Sequence, residues 1–438
     1  MAFDVPLRDR TLVAGVRTLE GGSSLTIALA DGGAVTVRRR WRPIDLLHAD
    51  AVPFDEARAA LVESFLEGCE QATADATEVG ITLSGGMDSR CLLAAAVHLG
   101  RRVRSYHMSE PGGRADVYSR RMAASCGVPH QAYAAGPDLA RQYYRRLRML
   151  IALHEGMSFE PEIEVSWLRD QVPAGTVMLH GGYAELSKLG DLRRFHLTAR
   201  LARTPAAALA AALWPRWEGP FGIRLRAFAP AVATELRRLA RASFDDRIAE
   251  LVDGGARDAA EVVQLCYLHE QVKVEKYSGH MWNDRLPTRF PFSHPRYVDV
   301  LLRVPARERV QQAFQIHLLR QLRPDLYAVP DANTGVRVDA PRALQFVVRA
   351  ITKIRRDVLR SRAVHEHADV SGWLGGVTPP IADVLSSGTD PAWYDAGGLA
   401  RVVADAHRDR RVGEAFQSLL VLELWREYLG LRAPLACA

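Results

Sequence analysis

Ser84, Gly85, Gly86, Met87, Asp88 and Ser89 stand between an apolar run, Val79–Leu83, and the Ala/Leu-rich run Asp88–Leu99. Two glycines let the backbone approach an anion closely, and the free N–H groups at a helix start favour negative charge there. The Ser84 and Ser89 hydroxyls add donors, and the Asp88 carboxylate can hold Mg²⁺. Such a strand–loop–helix unit offers a cradle for a phosphate chain, at the carboxyl end of a strand where open α/β sheets take their ligands. No Lys follows the glycines, so the GxxxxGK[ST] pattern is absent, and the spacing is not GxGxxG either. A glycine turn capped by Asp88 accounts for the same residues without a ligand. Six positions in this order and context favour the phosphate reading.

The elements that must position this loop are legible around it. A helix with Leu61, Phe65 and Cys69 on one face leads into the strand Val79–Leu83. Strand Val103–His107, helix Asp116–Cys126, strand His130–Ala134, helices Pro137–Leu153 and Glu162–Gln171, and strand Thr176–Leu179 follow. This alternation predicts a parallel sheet with right-handed crossovers. His107 then falls at a strand end and joins the candidate nucleotide-binding residues. Thr11–Val16, Ser24–Leu29 and Ala34–Arg38 read as short strands broken by glycine turns. From 201 onward the period is helical: Ala206–Trp214 (closed by Pro215), Ala231–Ala242, Asp245–Val252, Ala259–Lys276, Tyr297–Val304, Glu308–Leu322, Ala343–Leu359, Gly398–Asp409 and Gly413–Tyr428. The predicted division is a β segment over 1–50, an α/β core over 51–200 and a mainly helical region over 201–438.

The 438 residues, 48% hydrophobic and 25% charged, suit a globular chain with a large core and exclude disordered and disulfide-scaffold classes. Lysine occurs only at 188, 273, 276 and 353, which leaves 53 arginines. With abundant Ala this reads as coding bias, and a net charge of +6 is a weak signal for nucleic acid. Five scattered cysteines without a CxxC pair predict a reducing compartment and no zinc site. The N-terminus lacks a secretory pattern, and no run reaches the ~18 apolar residues of a membrane span. A soluble cytoplasmic protein is expected, without a membrane partner.

The SGGxDS loop after a strand resembles the PP-loop of the ATP pyrophosphatases, and the form Leu83-Ser84-Gly85-Gly86-Met87-Asp88-Ser89 is most similar to that of the asparagine-synthetase group. The resemblance covers about 45–330. It implies an adenine nucleotide alpha hydrolase-like fold, ATP bound at Leu83 through Ser89, and Mg²⁺ on Asp88. It further implies a second acidic motif after a later strand, similar to LSGxGxDE. Here His180-Gly181-Gly182-Tyr183-Ala184-Glu185 follows Val177–Leu179. Gly181 matches as a nucleotide contact and Glu185 as the second Mg²⁺ ligand. His180 replaces Ser, Tyr183 replaces Gly, Glu185 stands where Asp is usual and Leu186 where a second acid is usual. Arg289-Phe290-Pro291-Phe292 resembles the group's RxPF element. Residues 10–43 look like the end of a glutaminase domain. Met1-Ala2-Phe3 offers no nucleophile beside a free amine, so glutamine hydrolysis by this chain is not expected.

A desolvated lysine suits a charged transition state, which makes Lys273 and Lys276, ahead of Arg289, the candidate catalytic cations. Asp331–Gly335 falls where amide-forming relatives carry a Lys-containing loop, and no Lys is present there. His154, His280 and His294 lie near the candidate segments and receive no role. The implied activity is ATP-dependent adenylation of a small-molecule or peptide carboxylate, then transfer of the acyl group to an amine, in specialised metabolism. A separate glutaminase or biosynthetic partner is a possible nitrogen source, with a carbon-borne amine preferred. A PP-loop RNA-modifying enzyme and a catalytically impaired binding protein stay open as alternatives.

Overall fold

The computed structural model describes residues 5–188 (except 109–110, 135 and 160–161) and 204–337 (except 310–311 and 333–334). It also describes 340–341, 343–344, 347–348, 350–351, 377, 380–388, 390, 392–406 and 410–431. β1 (Ser23–Ala28) and β2 (Ala34–Arg39) form an antiparallel hairpin in which Leu25 faces Val37 and Ile27 faces Val35. β3 (Val79–Thr82) pairs in parallel with β4 (Val103–Met108) on one side and β6 (Val177–Leu179) on the other. β5 (His130–Tyr133) extends the sheet beyond β4 and β7 (Thr288–Arg289) beyond β6, giving the order β5-β4-β3-β6-β7. The expected parallel α/β sheet is therefore present. The chain runs outward from β3 to β5 and returns beside β3 as β6. The sheet's switch point, where loops part and a ligand can enter, thus lies between β3 and β6.

Helices cover both faces, as a parallel sheet requires. Phe54–Ala72 carries Asp55 and Glu56 in its first turn, where the helix dipole favours them. Its Leu61, Phe65 and Cys69 are fully buried against the Val79, Ile81 and Leu83 side of the sheet. The Phe65 ring meets Phe292 at 4.7 Å and Phe314 at 5.4 Å, tying Phe54–Ala72 to Ala313–Leu322. Tyr106 and Met178 point to the opposite core, with Tyr143, Leu147, Trp167, Trp282, Leu213 and Leu419. Each such large apolar side chain contributes on the order of 1.5–3 kcal/mol by leaving water.

Several predicted elements are redrawn. Thr11–Val16 is a turn closed by a bridge between Arg10 and Arg17, not a strand. The Thr11 hydroxyl bonds the Val13 amide and carbonyl and the Val16 carbonyl, a local alternative to strand pairing. Pro137–Leu153 breaks into Pro137–Arg141 and Tyr143–Leu153. The Ala206 helix runs through Pro215 to Leu225, because buried Leu209, Leu213, Phe221 and Leu225 carry its apolar face onward. Ala231–Ala242 and Asp245–Val252 are one helix, Pro230–Asp253. Ala259–Lys276 is divided by a wide π turn at Tyr267–Gln271, after which Val272–Asn283 resumes. Most of predicted helix Ala343–Leu359 lies outside the described residues. No helix among the described residues is long and apolar enough to cross a membrane.

Candidate functional site

Because β3 and β6 are parallel neighbours, the loops that follow them leave the same end of the sheet side by side. Leu83 completes β3 by donating its amide to the Tyr106 carbonyl at 2.8 Å. Gly85 has φ +77°, and a Cβ there would lie 2.9 Å from the Ala332 side chain, so both conformation and space call for glycine. Gly86 is the N-cap of helix Met87–His98. The Gly86 amide donates to Ser84 Oγ at 3.4 Å, and Ser89 Oγ donates to the Gly86 carbonyl at 3.3 Å. Ser84 is exposed, whereas the Met87 side chain is packed into the core. Met87 can therefore offer only its backbone to a ligand.

The second loop closes on the first. A Cβ at Gly181 would lie 3.3 Å from Asp88 Cβ. At Gly182 it would meet Glu275 Oε2 at 2.8 Å and the Phe290 ring at 3.0 Å, so the Glu275 carboxylate occupies the space a side chain would need. Tyr183 has φ +66°, a left-handed conformation that explains why the resembled motif carries glycine here. Its ring leans on Phe290 at 5.4 Å, and the His180 ring lies 5.3 Å from the same Phe290. The RxPF-like segment thus buttresses the second loop through Phe290. Its Arg289 instead reaches Asp75 at 2.9 Å and the Ala72 carbonyl. Burial pulls the His180 imidazole down to about 4, so it is neutral at pH 7.

Asp88 and Glu185 converge on one cation. Lys188 Nζ lies 2.6 Å from Asp88 Oδ2 and 2.8 Å from Glu185 Oε1, with only 16% of its side chain exposed. Burial disfavours the charged ammonium, but the two carboxylates outweigh it and raise the Lys188 pKa. Burial also pushes Asp88 above the usual carboxylate range, against the pull of Lys188. Gln315 Nε2 donates to Asp88 Oδ1 at 3.3 Å and to Ser187 Oγ at 2.6 Å. Among the described residues no three His, Cys, Asp or Glu side chains gather around a possible metal. A pair of carboxylates beside a phosphate chain is nonetheless a donor set that suits Mg²⁺, which keeps waters and takes one or two carboxylates. Asp88 and Glu185, already meeting at a cation, fit that role.

Buried arginines fix both loops. Arg90 donates to the carbonyls of Gly85 (2.8 Å), Leu326 (3.2 Å), Val329 and Pro330, binding the first loop to the chain beyond Leu322. Arg309 donates to the Leu186 and Val304 carbonyls at 2.7 and 3.0 Å, holding the turn that carries Glu185 and Lys188. Ala332 lies against the first loop, its amide donating to the Gly85 carbonyl at 3.2 Å. Asn333 and Thr334 fall outside the described residues. Arg114 Nη1 donates to the Ala332 carbonyl at 3.3 Å, bringing a guanidinium to this segment.

The two expected lysines occupy different surroundings. All three donors of Lys273 are taken, by the Pro6 carbonyl at 3.0 Å, the Arg8 carbonyl at 2.5 Å and Glu270 at 2.8 Å. It fastens the N-terminal segment. Lys276 is exposed and lies over the Tyr277 ring at 5.0 Å. The buried cation between the carboxylates is Lys188, and its signal was available: an acid and a lysine three apart, on one helical face. Glu275 and Arg90 carried no comparable signal. His107 is buried at the carboxyl end of β4, beside β3. His294 packs on Phe54–Ala72 at Gly68, and His280 stands edge-on to Tyr277.

His154 is 2% exposed, its ring 5.7 Å from that of Tyr277. Burial, with some repulsion from His280, lowers its pKa from 6.5 to about 4. The unfolded chain therefore takes up this proton first as pH falls. The contribution to stability is complete above pH 6.5 and is lost progressively towards pH 4, by roughly 3 kcal/mol at most. Urea midpoints at pH 7 and 4.5 should show this loss, and His154→Gln should shrink the difference between them.

Residues 61–333 match the family described as asparagine synthase. No curated protein matches the chain.

Proposed function

The chain belongs to the asparagine synthase family, an ATP-using family of ligase type, and from that premise we propose that it adenylates a substrate carboxylate and passes the acyl group to an amine. The observation that carries the reading is the meeting of Asp88 and Glu185, from neighbouring loops, on one cation at the switch point of the sheet.

In the first half-reaction a carboxylate oxygen attacks the α-phosphorus of ATP. The bond to the β-phosphate oxygen breaks and pyrophosphate leaves. Ser84, Ser89 and the backbone of Gly85 and Gly86 hold the departing pyrophosphate, the helix N-terminus favouring its charge. Asp88 and Glu185 would hold Mg²⁺, which offsets charge on the phosphate oxygens when bound. In the second half-reaction an amine attacks the acyl carbon, AMP leaves and one proton is released. Glu275, whose carboxylate lies beside Gly182, is our candidate acceptor for that proton. The acid is a small molecule or peptide, and the amine is carbon-borne.

A test is pyrophosphate exchange into ATP by the purified chain, screened across carboxylic acids. Acid-dependent exchange, with AMP and pyrophosphate formed in equal amounts once an amine is added, is the expected result. Formation of ADP and phosphate would overturn the adenylation reading.

A further inference from the structure

Lysine is rare in this chain, and one of its four lysines is placed between the two carboxylates that would hold a metal. Lys188 is largely buried, and two of its three N–H donors point to Asp88 and Glu185. Among the described residues the third has no hydrogen-bond partner. The pair is thus already bridged by a tethered ammonium. Lys188 carries a compact charge on a flexible stem, and the stem allows it to leave without unfolding the turn, which Arg309 holds through the Leu186 carbonyl.

A divalent ion seeking Asp88 and Glu185 meets an ammonium in contact with both, and like charges at contact repel strongly in a partly buried site. The ion can enter only if the ammonium goes elsewhere. A nucleotide brings several negative oxygens to the neighbouring loop, and these give the displaced ammonium a new partner. We propose that Lys188 is a resident surrogate for the metal: it closes the carboxylate pair in the empty chain, gives way when a metal and nucleotide arrive together, and then donates to the phosphates. Metal binding is thereby made conditional on nucleotide. The inference rests on the nucleotide-binding reading of the first loop and adds an order of binding to it.

The test is Mn²⁺ binding to the full chain, read by calorimetry or by the loss of free-ion resonance, with and without a non-hydrolysable ATP analogue. Wild type should bind Mn²⁺ only with the analogue. Lys188→Met and Lys188→Gln should bind Mn²⁺ alone at least ~10-fold more tightly than wild type, because the competing charge is gone. Gln keeps hydrogen-bonding capacity to both carboxylates, so it separates charge from packing should the Met variant fold poorly. Wild type binding Mn²⁺ alone as tightly as the variants, or neither variant gaining it, would overturn the surrogate role. Failure of wild type to bind Mn²⁺ even with the analogue would instead count against metal–nucleotide binding at this loop, and so against the adenylation reading itself.

Discussion

Asp88→Asn is expected to lower acid-dependent pyrophosphate release by ~10³-fold or more, with little change in fold. The substitution keeps the side chain's shape, removes the charge, and turns one of the two oxygens that accept from Gln315 and Lys188 into a donor. That charge is one of two that meet at Lys188 in the mouth between β3 and β6. Under the proposed adenylation, losing it removes a metal donor at the place where charge develops on the departing pyrophosphate. The comparison needs the initial rate of pyrophosphate formation for both proteins, with far-ultraviolet dichroism and a melting curve showing that the variant is folded. Retention of more than ~10% of the wild-type rate would mean that Asp88 does not face the reacting phosphates.

Arg90→Met is expected to cost ~2–6 kcal/mol, because the Gly85 and Leu326 carbonyls keep backbone donors while those of Val329 and Pro330 lose theirs, at ~1–3 kcal/mol each. Arg90 is fully buried, and its guanidinium serves four carbonyls, at Gly85, Leu326, Val329 and Pro330. Met fills comparable volume but supplies no donor to any of them. The urea midpoint should fall with an unchanged slope. Arg90→Lys should recover part of the loss, since an ammonium has three donors but not the planar fork. A midpoint within experimental error of wild type for Arg90→Met would show that those carbonyls find other partners.

The parts of the molecule that were legible in the sequence are those governed by local pattern. The run Val79–Leu83, the glycine pair and the Ala/Leu-rich run after it specify a strand, a turn and a helix within twenty residues. Each is decided by neighbours in the chain. The spacing of Leu61, Phe65 and Cys69 likewise fixes which face of Phe54–Ala72 is buried, and all three are fully buried. Where local pattern was ambiguous, tertiary packing decided. Pro215 marks a helix end by propensity, yet the helix continues because its far half has an apolar face to bury. Thr11–Val16 has strand-like residues, but a Thr hydroxyl gives its backbone closer partners than another strand.

The site divides in the same way. Sequence alone determined the first loop, its attachment to a strand end, and Glu185 as the acid of a second loop, because those features are short-range and repeat a resembled motif. It could not determine which lysine would meet the two carboxylates. Lys273 and Lys276 precede the RxPF-like element and share a helical spacing, but that spacing does not say what the fold packs against each of them. Lys273 faces the carbonyls of Pro6 and Arg8, and Lys276 stays exposed. Lys188 stands one hundred residues from Asp88 in the chain and 2.6 Å from it in space. Only the parallel pairing of β3 with β6 brings the two loops together, and only the fold places Glu275 against Gly182 and four distant carbonyls around Arg90. Motif residues are set by the chain's local order, whereas the electrostatic partners of a charge are set by whatever the fold puts within a few ångströms of it, and that distance is not written in sequence separation.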